Sequence, residues 1–361
     1  MSGLTHEEKI WYWLASTPRL GFKHMVSILE MQISLEEIFA DPGSLSMLPE
    51  EMRETLKGRA DMGRIEEELF SLEKQGIHAV PMPSGEYPPL LREIYRPPLI
   101  LYVKGSLLRV GELPLGMVGT RLASREGMAR MKQIARELAD AGVTVVSGMA
   151  RGIDTACHKG ALEAGGVTVA VLGCGVERAY PSENKRLYHA IAETGAVISE
   201  FPPGTPPFAG NFPVRNRIIS GMSRGILVGE ANEASGAHNT ARHAYEENRD
   251  VFAVPAEKPE QTAELPALLM ENGSLSARSA REVLSYYGWA AEEPLQEESP
   301  EPGLDFFERE LYNLLLKGDM TMQQLADRSG SAAAKVSLTL TKLEVKGLVE
   351  RLPGNRFGKK I

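Results

Sequence analysis

The stretch VTVVSGMARGID, residues 143–154, decides the fold. It runs from a short apolar strand, residues 143–146, through a loop with two glycines to Asp154, where the next helix opens. Glycine lets a backbone approach a ligand closely, and free amides at a helix start attract phosphate. The stretch therefore predicts one strand–loop–helix unit of an α/β fold.

The same unit recurs along the middle of the chain. A helix face with Met131 and Leu138 precedes the stretch and is stopped by Gly142, and other helical segments separate the later apolar runs. These runs fall at residues 99–103, 115–118, 167–172, 196–199, 226–228 and 251–254. Short apolar strands that alternate with helices predict an α/β class: a Rossmann-like, doubly wound, mainly parallel sheet.

Composition divides the chain into four parts. Residues 1–80 have the spacing of short helices, with breaks at residues 18–21 and around Pro49. They predict an N-terminal all-α domain, either of helix-hairpin-helix (SAM-like) type or a plain helical packing domain. The other parts are a Rossmann-like domain over 81–289, an acidic flexible linker over 290–304 and a winged helix over 305–361.

The predicted winged helix begins with a helix near residues 306–315, and Thr321 caps the second helix. Three roles stay open for this part, which are binding of duplex DNA, binding of another protein, or packing, because the fold alone does not fix the partner. Three lysines fall on the predicted third helix: Lys335, Lys342 and Lys346.

The net charge of −8 says little about any one surface. Six acidic residues and no lysine or arginine fall between Glu292 and Asp305, so the linker carries most of the imbalance. The two cysteines, Cys157 and Cys174, have no disulfide or metal spacing and favour a reducing compartment. The N-terminus lacks the apolar run of a signal peptide, and no stretch approaches the ~20 apolar residues of a membrane span. We expect a cytoplasmic protein without a membrane partner.

The loops that follow the predicted strands repeat one composition of glycines, hydroxyls and arginines. Ligands of doubly wound sheets bind beyond the carboxyl ends of the strands, where these loops lie. Arginine adds a planar, charged fork that suits phosphate oxygens. Several such loops together favour an anionic ligand over a purely structural role. The arginines that carry this expectation are Arg121, Arg151, Arg215 and Arg217.

The sequence lacks the motifs of several other ligand-binding and metal sites. There is no G-x-x-x-x-G-K-[ST] motif, residues 173–175 lack the third glycine of a dinucleotide fingerprint, and no histidine pair has metal spacing. Asp154 is expected to cap its helix, whereas Glu200 and Glu230 either contact a ligand or pair with an arginine. We therefore expect no catalytic residue, no metal, no cofactor and no enzymatic activity.

Residues 87–255 resemble the bacterial DNA-processing protein A family (DprA, also called Smf). The resemblance rests on the order and spacing of six motifs, and the two flanking domains also look like the family's. The motifs are VGTR (118–121), SGMARGID (147–154), YPSEN (180–184), SEFPPG (199–204), FPVRNRIISG (212–221) and SG (235–236).

The resemblance implies a non-enzymatic protein of DNA recombination. Members of the family bind single-stranded DNA through the Rossmann-like domain and help to load the recombinase RecA onto it during natural transformation. They commonly act as dimers, which implies a homodimer through this domain. Motif by motif, the resemblance implies DNA contacts at Arg121, Gly148, Arg151, Lys185, Arg215, Asn216, Arg217, Ser235 and Gly236.

Some segments depart from the family's pattern. Residues 237–240, Ala-His-Asn-Thr, differ from the small and apolar residues usual there, and Ala256 stands where a glycine is usual. Residues 257–269, with several acidic side chains, replace an expected Gly-Thr-Asn segment. The arginine-bearing loops are unaffected, so any difference in DNA contact should fall on this last loop.

A second function stays open, that of a nucleotide-binding or nucleotide-hydrolysing Rossmann-like enzyme or sensor. Ser147, Gly148 and Asp154 lie where the phosphate and sugar of such a ligand would sit. Against it, the Pro-Gly-Gly-x-Gly-Thr loop typical of related hydrolases is absent.

Overall fold

The computed structural model describes residues 3–255, 263–289, 304–316, 318–352 and 356–359. The chain forms two compact units, Met1–Ala291 and Glu292–Ile361. The predicted linker, apart from Leu304, lies outside the described residues, as do residues 256–262 of the segment that departs from the family pattern.

Helices follow the N-terminus, as the sequence predicts: α1 (His6–Ala15), α2 (Phe22–Glu30), α3 (Leu35–Ala40), α4 (Glu50–Arg59) and α5 (Met62–Lys74), with a 3₁₀ turn at Pro42–Ser44. Thr5 begins α1 with a capping box, because its hydroxyl accepts from the amide of Glu8 while the Glu8 carboxylate accepts from the amide of Thr5. The predicted breaks separate α1 from α2 and precede α4.

The sheet of the first unit has nine strands among the described residues: β1 (His78–Pro81), β2 (Ile100–Gly105), β3 (Pro114–Val118), β4 (Thr144–Ser147), β5 (Thr168–Val171), β6 (Ala196–Ser199), β7 (Gly225–Val228), β8 (Asp250–Ala253) and β9 (Leu275–Ser276). Their order is β1-β2-β6-β5-β4-β3-β7-β8-β9. Neighbours from β6 to β9 pair in parallel, whereas β2 pairs antiparallel with both β1 and β6. The predicted mainly parallel sheet is confirmed, with two antiparallel strands added at one edge.

Helices connect the strands: α6 (Pro89–Arg92), α7 (Arg125–Asp140), α8 (Ile153–Glu163), α9 (Lys185–Thr194), α10 (Asn211–Gly221), α11 (Gly236–Glu246), α12 (Glu264–Glu271) and α13 (Ala280–Tyr287), with 3₁₀ turns at Leu107–Arg109 and Ser182–Asn184. From β3 the chain moves through β4 and β5 to β6, and β7 then returns to the other side of β3. This reversal opens a crevice at the carboxyl ends of β3, β4 and β7, where ligands of such sheets bind.

The N-terminal helices share a hydrophobic core with one face of the sheet. The core contains Trp13 of α1, Leu172 after β5 and Ile191 of α9. Trp11 of α1 also donates from Nε1 to the carbonyl oxygen of Leu99, just before β2, at 2.9 Å. These helices therefore complete the packing of the sheet at the edge that β1 and β2 form.

A histidine is buried between α8 and the sheet. His158 is fully buried, its Nδ1 lies 2.7 Å from Oγ1 of Thr168, and its Nε2 has no hydrogen-bond partner among the described residues. Burial lowers the pKa of His158 to about 3, and the positive charge of Arg215 acts in the same direction.

Because of this histidine, we expect the free energy of unfolding to fall in mild acid. Because the pKa of folded His158 lies below its ordinary value near 6.5, the unfolded chain binds the proton first as the pH falls. Between about pH 7.5 and about pH 5.5 this residue should lower the free energy of unfolding by about 1.4 kcal/mol. Urea denaturation at both pH values should show a smaller loss in His158→Gln than in the wild type. An equal loss in both proteins would contradict the assignment.

The second unit is a winged helix, as the sequence predicts: α14 (Phe306–Leu316), β10 (Met320–Thr321), α15 (Met322–Ser329), α16 (Ala333–Val345), β11 (Val349–Leu352) and β12 (Arg356–Lys359). The strands pair in the order β10-β12-β11. Thr321 caps α15 as expected, in a capping box with Gln324.

The lysines predicted for the third helix of this unit turn towards α14 and its start. Nζ of Lys335 lies 4.0 Å from the ring centre of Phe307, and Nζ of Lys346 lies 2.6 Å from Oε2 of Glu308. The third lysine, Lys342, lies 3.7 Å from the Asp305 carboxylate. All three lysines therefore contact groups of their own unit.

Candidate functional site

The crevice at the carboxyl ends of β3, β4 and β7 holds two adjoining depressions, here called the groove. Their volumes are about 540 and 210 Å³. The residues that line both are Arg121, Ala150, Tyr180, Phe212 and Arg215. Of the nine positions expected to contact a ligand, the groove brings together Arg121, Gly148, Arg151, Arg215, Asn216, Ser235 and Gly236. Lys185 and Arg217 do not line it.

An aromatic pair lies in the groove, and two arginines lie near one of its rings. The ring centres of Tyr180 and Phe212 are 5.5 Å apart, with an angle of 33° between the ring planes. The guanidinium carbons of Arg121 and Arg215 lie 5.7 and 5.8 Å from the centre of the Phe212 ring. Sequence reasoning did not assign these aromatics to the site, although each stands in a strand-end segment, which is the available signal. An aromatic face can stack on a flat ring such as a nucleobase, while an arginine beside it binds an anion.

Gly148 lies between two charged side chains. Its amide donates to Oδ2 of Asp154 at 3.1 Å, and its carbonyl accepts from Nη1 of Arg215 at 2.9 Å. A β-carbon on Gly148 would lie 2.6 Å from Nη2 of Arg215 and 2.7 Å from Oδ2 of Asp154. Glycine is therefore the residue that leaves this arrangement undisturbed.

Both of these charged side chains are buried, Arg215 at 4% and Asp154 at 5% exposure. Burial raises the pKa of Asp154 despite the opposing effect of Arg215, and burial lowers the pKa of Arg215 to about 10. Arg215 thus remains charged at neutral pH. It also donates to the carbonyl of Val171 at the end of β5, so it joins α10 to the ends of two strands.

Asp154 does not cap α8, contrary to the sequence prediction. The helix begins at Ile153 with Gly152 as its N-cap, and Asp154 lies in the first turn. Its carboxylate instead reaches back to the preceding loop, where it accepts from the amides of Gly148 and Ala150. A buried carboxylate with two amide donors suits a structural role better than acid–base chemistry.

Glu230 anchors the loop that carries Arg121. Its carboxylate accepts from the amide of Ser124 at 2.7 Å and from the hydroxyl of the same residue, and its carbonyl accepts from the amide of Thr120 at 2.6 Å. Glu230 therefore binds loop backbone rather than an arginine. Arg121 itself is exposed and has no hydrogen bond or ion pair to the described residues, so its guanidinium is available to a ligand.

Arg151 lines the groove, whereas Lys185 lies outside its lining, two residues after the lining residue Glu183. Arg151 is exposed and forms an ion pair with Glu183. Lys185 is exposed at the first residue of α9. Asn184, the residue before it, donates to the carbonyl of Met149 at 2.9 Å and so joins the start of α9 to the Arg151 loop. Exposed ion pairs are weak, so Arg151 can exchange Glu183 for a phosphate at little cost.

Arg217, although expected to contact DNA, lies on the opposite side of α10 from Arg215 and outside the groove. Residues two apart on a helix point in nearly opposite directions. Nη2 of Arg217 donates to Oε2 of Glu200 at 2.6 Å, and these side chains are 15% and 16% exposed. Glu200 therefore pairs with an arginine, which is one of the two roles that the sequence leaves open for it.

The start of α11 forms a further wall of the groove. Nδ2 of Asn216 donates to the carbonyl of Gly236 at 3.1 Å. Ser235 is the N-cap of α11, and its buried Oγ has no partner among the residues that the structure describes. Asn239, from the segment that departs from the family pattern, also lines the groove. An unsatisfied hydroxyl beside a helix N-terminus offers a place for an anionic oxygen.

The two cysteines are buried, and burial raises the pKa of both thiols, that of Cys174 to about 11. Within the described ranges, no cluster of three or more histidine, cysteine, aspartate or glutamate residues has the arrangement of a metal site. No helix in those ranges is both long and apolar enough to cross a membrane.

The chain matches two family models: DNA recombination-mediator protein A over residues 78–288, and the DprA winged helix domain over residues 296–355. It is similar to protein Smf of Escherichia coli K12, with 38% identity over 301 residues that cover 80% of this chain and 79% of that protein. It is also 38% identical over 217 residues to DNA processing protein DprA of Bacillus subtilis, which covers 60% of this chain and 73% of the relative.

Solved structures give the same relationship. DNA processing protein A of Streptococcus pneumoniae superposes with a TM-score of 0.66 at 31% identity, covering 79% of this chain and 98% of that one. The protein of the same name from Helicobacter pylori, which has a unique single-stranded DNA binding mode, gives a TM-score of 0.53 at 25% identity. The match covers 58% of this chain and 95% of that chain. The chain thus belongs to the DprA/Smf family of DNA recombination-mediator proteins.

Proposed function

We propose that the groove binds single-stranded DNA. The observation that carries this proposal is the aromatic pair Tyr180 and Phe212, with the guanidinium groups of Arg121 and Arg215 near the Phe212 ring. Sites for single strands combine cations along the backbone with aromatic faces on which bases stack. The single-strand binding of the Helicobacter pylori relative supports the same assignment.

The nine expected contact positions then divide by exposure and place. Three exposed cations would contact phosphates directly: Arg121, Arg151 and Lys185. Three buried residues would shape the floor of the groove: Gly148, Arg215 and Asn216. Two residues at the start of α11 would meet an anionic oxygen: Ser235 and Gly236. Arg217 lies outside the groove.

We further propose that the bound strand is handed to the recombinase RecA in transformation or recombination, and that the chain acts in the cytoplasm as a homodimer through its Rossmann-like domain. The family's description as a recombination mediator supports this role. The test is whether the protein accelerates RecA filament formation on a strand already covered by single-strand-binding protein. Sedimentation should give twice the monomer mass, and a monomer mass would contradict the homodimer. RecA filaments that form no faster in the presence of the protein would contradict the transfer of the strand to RecA.

Replacing Arg121 by glutamine should weaken single-strand binding about tenfold, because the variant lacks an exposed cation that lies beside the Phe212 ring. The slope of log K against log salt should become shallower by about 0.7, because one phosphate fewer is neutralised. Fluorescence anisotropy with a labelled oligothymidylate at several salt concentrations measures both quantities.

The matched control for this experiment is Arg136→Gln. Arg136 is an exposed arginine of α7, about 17 Å along the helix from its start, and it does not line the groove. Its replacement should leave affinity and slope unchanged. An Arg121→Gln protein that folds and binds like the wild type, or equal losses in both variants, would reject the groove.

Nucleotide turnover, the alternative function, finds less support in the geometry. Asp154 is buried and accepts two loop amides, and Glu200 is paired with Arg217 outside the groove. Incubating the protein with nucleoside mono- and triphosphates, followed by chromatography, tests this alternative. Turnover that disappears in Asp154→Asn would favour it.

A further inference from the structure

A second depression lies on the other side of α10 from the groove. Its volume is about 630 Å³, and the start of α2, the segment before β2, α10 and α11 all contribute to its lining. Pro213 and Asn239 line both the groove and this second depression. Helix α10 therefore forms a ridge, and a chain that leaves the groove over Pro213 enters the second depression.

The second depression is cationic. Arg96, Arg217 and Arg242 line it, whereas Glu200 is the single acidic residue among its described lining residues. Glu200 lies 2.6 Å from Arg217, so this pair is neutral as a unit. The charge left for a ligand comes from Arg96 and Arg242.

These two arginines are only loosely held. Arg96 is exposed and has no hydrogen bond or ion pair to any described residue. Nη2 of Arg242 donates to Oδ1 of Asn239 at 2.9 Å, and its Nε lies 3.7 Å from the exposed carboxylate of Glu246. Because such an exposed pair contributes little to stability, an incoming phosphate can replace it.

Apolar surface lies beside these charges. Phe22 at the start of α2 is half-buried, and Val214 of α10 is 49% exposed. Three prolines extend this lining: Pro97, Pro98 and Pro202. Apolar walls next to guanidinium groups suit a base together with its phosphate better than a bare phosphate.

The Glu200–Arg217 pair also leaves polar atoms unsatisfied. Oε1 of Glu200 and Nη1 of Arg217 are buried and have no hydrogen-bond partner among the residues the structure describes. Unpaired buried polar atoms are rare in folded proteins and indicate a water or ligand group nearby.

We propose that the second depression holds the next nucleotides of the strand that is bound in the groove. Arg96 and Arg242 hold a phosphate there, and a base lies against Phe22 and Val214. This inference rests on the proposed single-strand binding of the groove, and it adds the path of the strand, which crosses α10 at Pro213 to reach the N-terminal helices.

The test compares Arg96→Gln/Arg242→Gln with the wild type on oligothymidylates of increasing length. Short strands that fill the groove alone should bind both proteins equally. On longer strands the wild type should gain affinity, and the variant should bind about tenfold more weakly than the wild type. Its salt slope should be shallower by about 0.7 for each phosphate that the variant no longer neutralises. Both arginines are exposed, so the variant should fold, which circular dichroism checks.

Arg121→Gln separates this inference from the groove itself, because it should weaken binding at every length. If it does so while the Arg96→Gln/Arg242→Gln loss is absent or equal at all lengths, the groove stands and the second depression is overturned. If Arg121→Gln has no effect at any length, the groove is overturned. A further outcome would also overturn the path: thymidine monophosphate binds through Arg96, and affinity for oligothymidylates does not depend on their length in a way that involves Arg96. The second depression would then hold a free nucleotide.

Discussion

Replacing Arg215 by methionine should lower the free energy of unfolding by about 3–5 kcal/mol at neutral pH. Methionine fills much of the same space but leaves buried Asp154 without the stronger of the two positive charges that act on it, those of Arg215 and Arg121. The carbonyls of Gly148 and Val171 also lose their donor. Urea denaturation followed by circular dichroism measures the loss, which should appear as a lower midpoint with an unchanged slope.

Removing both charges should cost less than removing one, because the uncompensated carboxylate is the main source of the loss. Arg215→Met combined with Asp154→Asn should therefore recover part of the stability lost in Arg215→Met alone. A double variant as unstable as the single one would contradict this role of the pair.

The pH dependence of Arg215→Met provides an independent check. Burial already raises the pKa of Asp154, and without Arg215 the largest opposing effect is lost, so this pKa should rise further. A carboxyl whose folded pKa lies above its unfolded value near 4 destabilises the fold as the pH rises. The deficit of the variant relative to the wild type should therefore shrink as the pH falls towards about 5. A deficit that stays constant would show that lost packing, not charge, causes it.

The central sheet was predictable because its strands are buried on both faces. All residues of β4 and β5 are buried, so each strand appears in the sequence as a short, mainly apolar run. The direction of β2 was not predictable from its run ILYVKG, because the same residues suit parallel and antiparallel pairing. The apolar faces of α1 and α5 likewise indicate burial, but they do not say that the sheet is their partner.

The site was predictable to the extent that it depends on strand ends. Arg121 stands three residues after β3 and Gly148 directly follows β4, so the parallel topology alone brings them together. The sequence places the segment FPVRNR among the loops that follow strands, but α10 begins at Asn211 and contains Pro213 in its first turn, where proline is tolerated. The helical twist then turns Arg215 and Arg217 to opposite sides. Only the position of the helix start would have revealed this.

The largest loss of single-strand affinity is expected from Arg121→Gln combined with Phe212→Ala, about 2–4 kcal/mol in total. Stacking of one base on an aromatic ring contributes about 1–3 kcal/mol, and removal of the arginine's attraction to a phosphate adds to it. The matched control is Phe208→Ala, since Phe208 is 61% exposed and does not line the groove. Anisotropy titrations at constant salt measure all variants, and thermal unfolding checks that each one folds.

The two single variants and the double variant form a mutant cycle that tests whether the arginine and the ring act as one unit. The guanidinium carbon of Arg121 lies 5.7 Å from the ring centre of Phe212, close enough for each to position the other against a base and its phosphate. Their losses should therefore sum to more than the loss in the double variant, with a coupling energy of about 0.5–1 kcal/mol or more. Strict additivity would mean that the ring and the charge contact separate nucleotides. A Phe212→Ala protein that folds and binds like the wild type would remove stacking from the groove and leave only its charge.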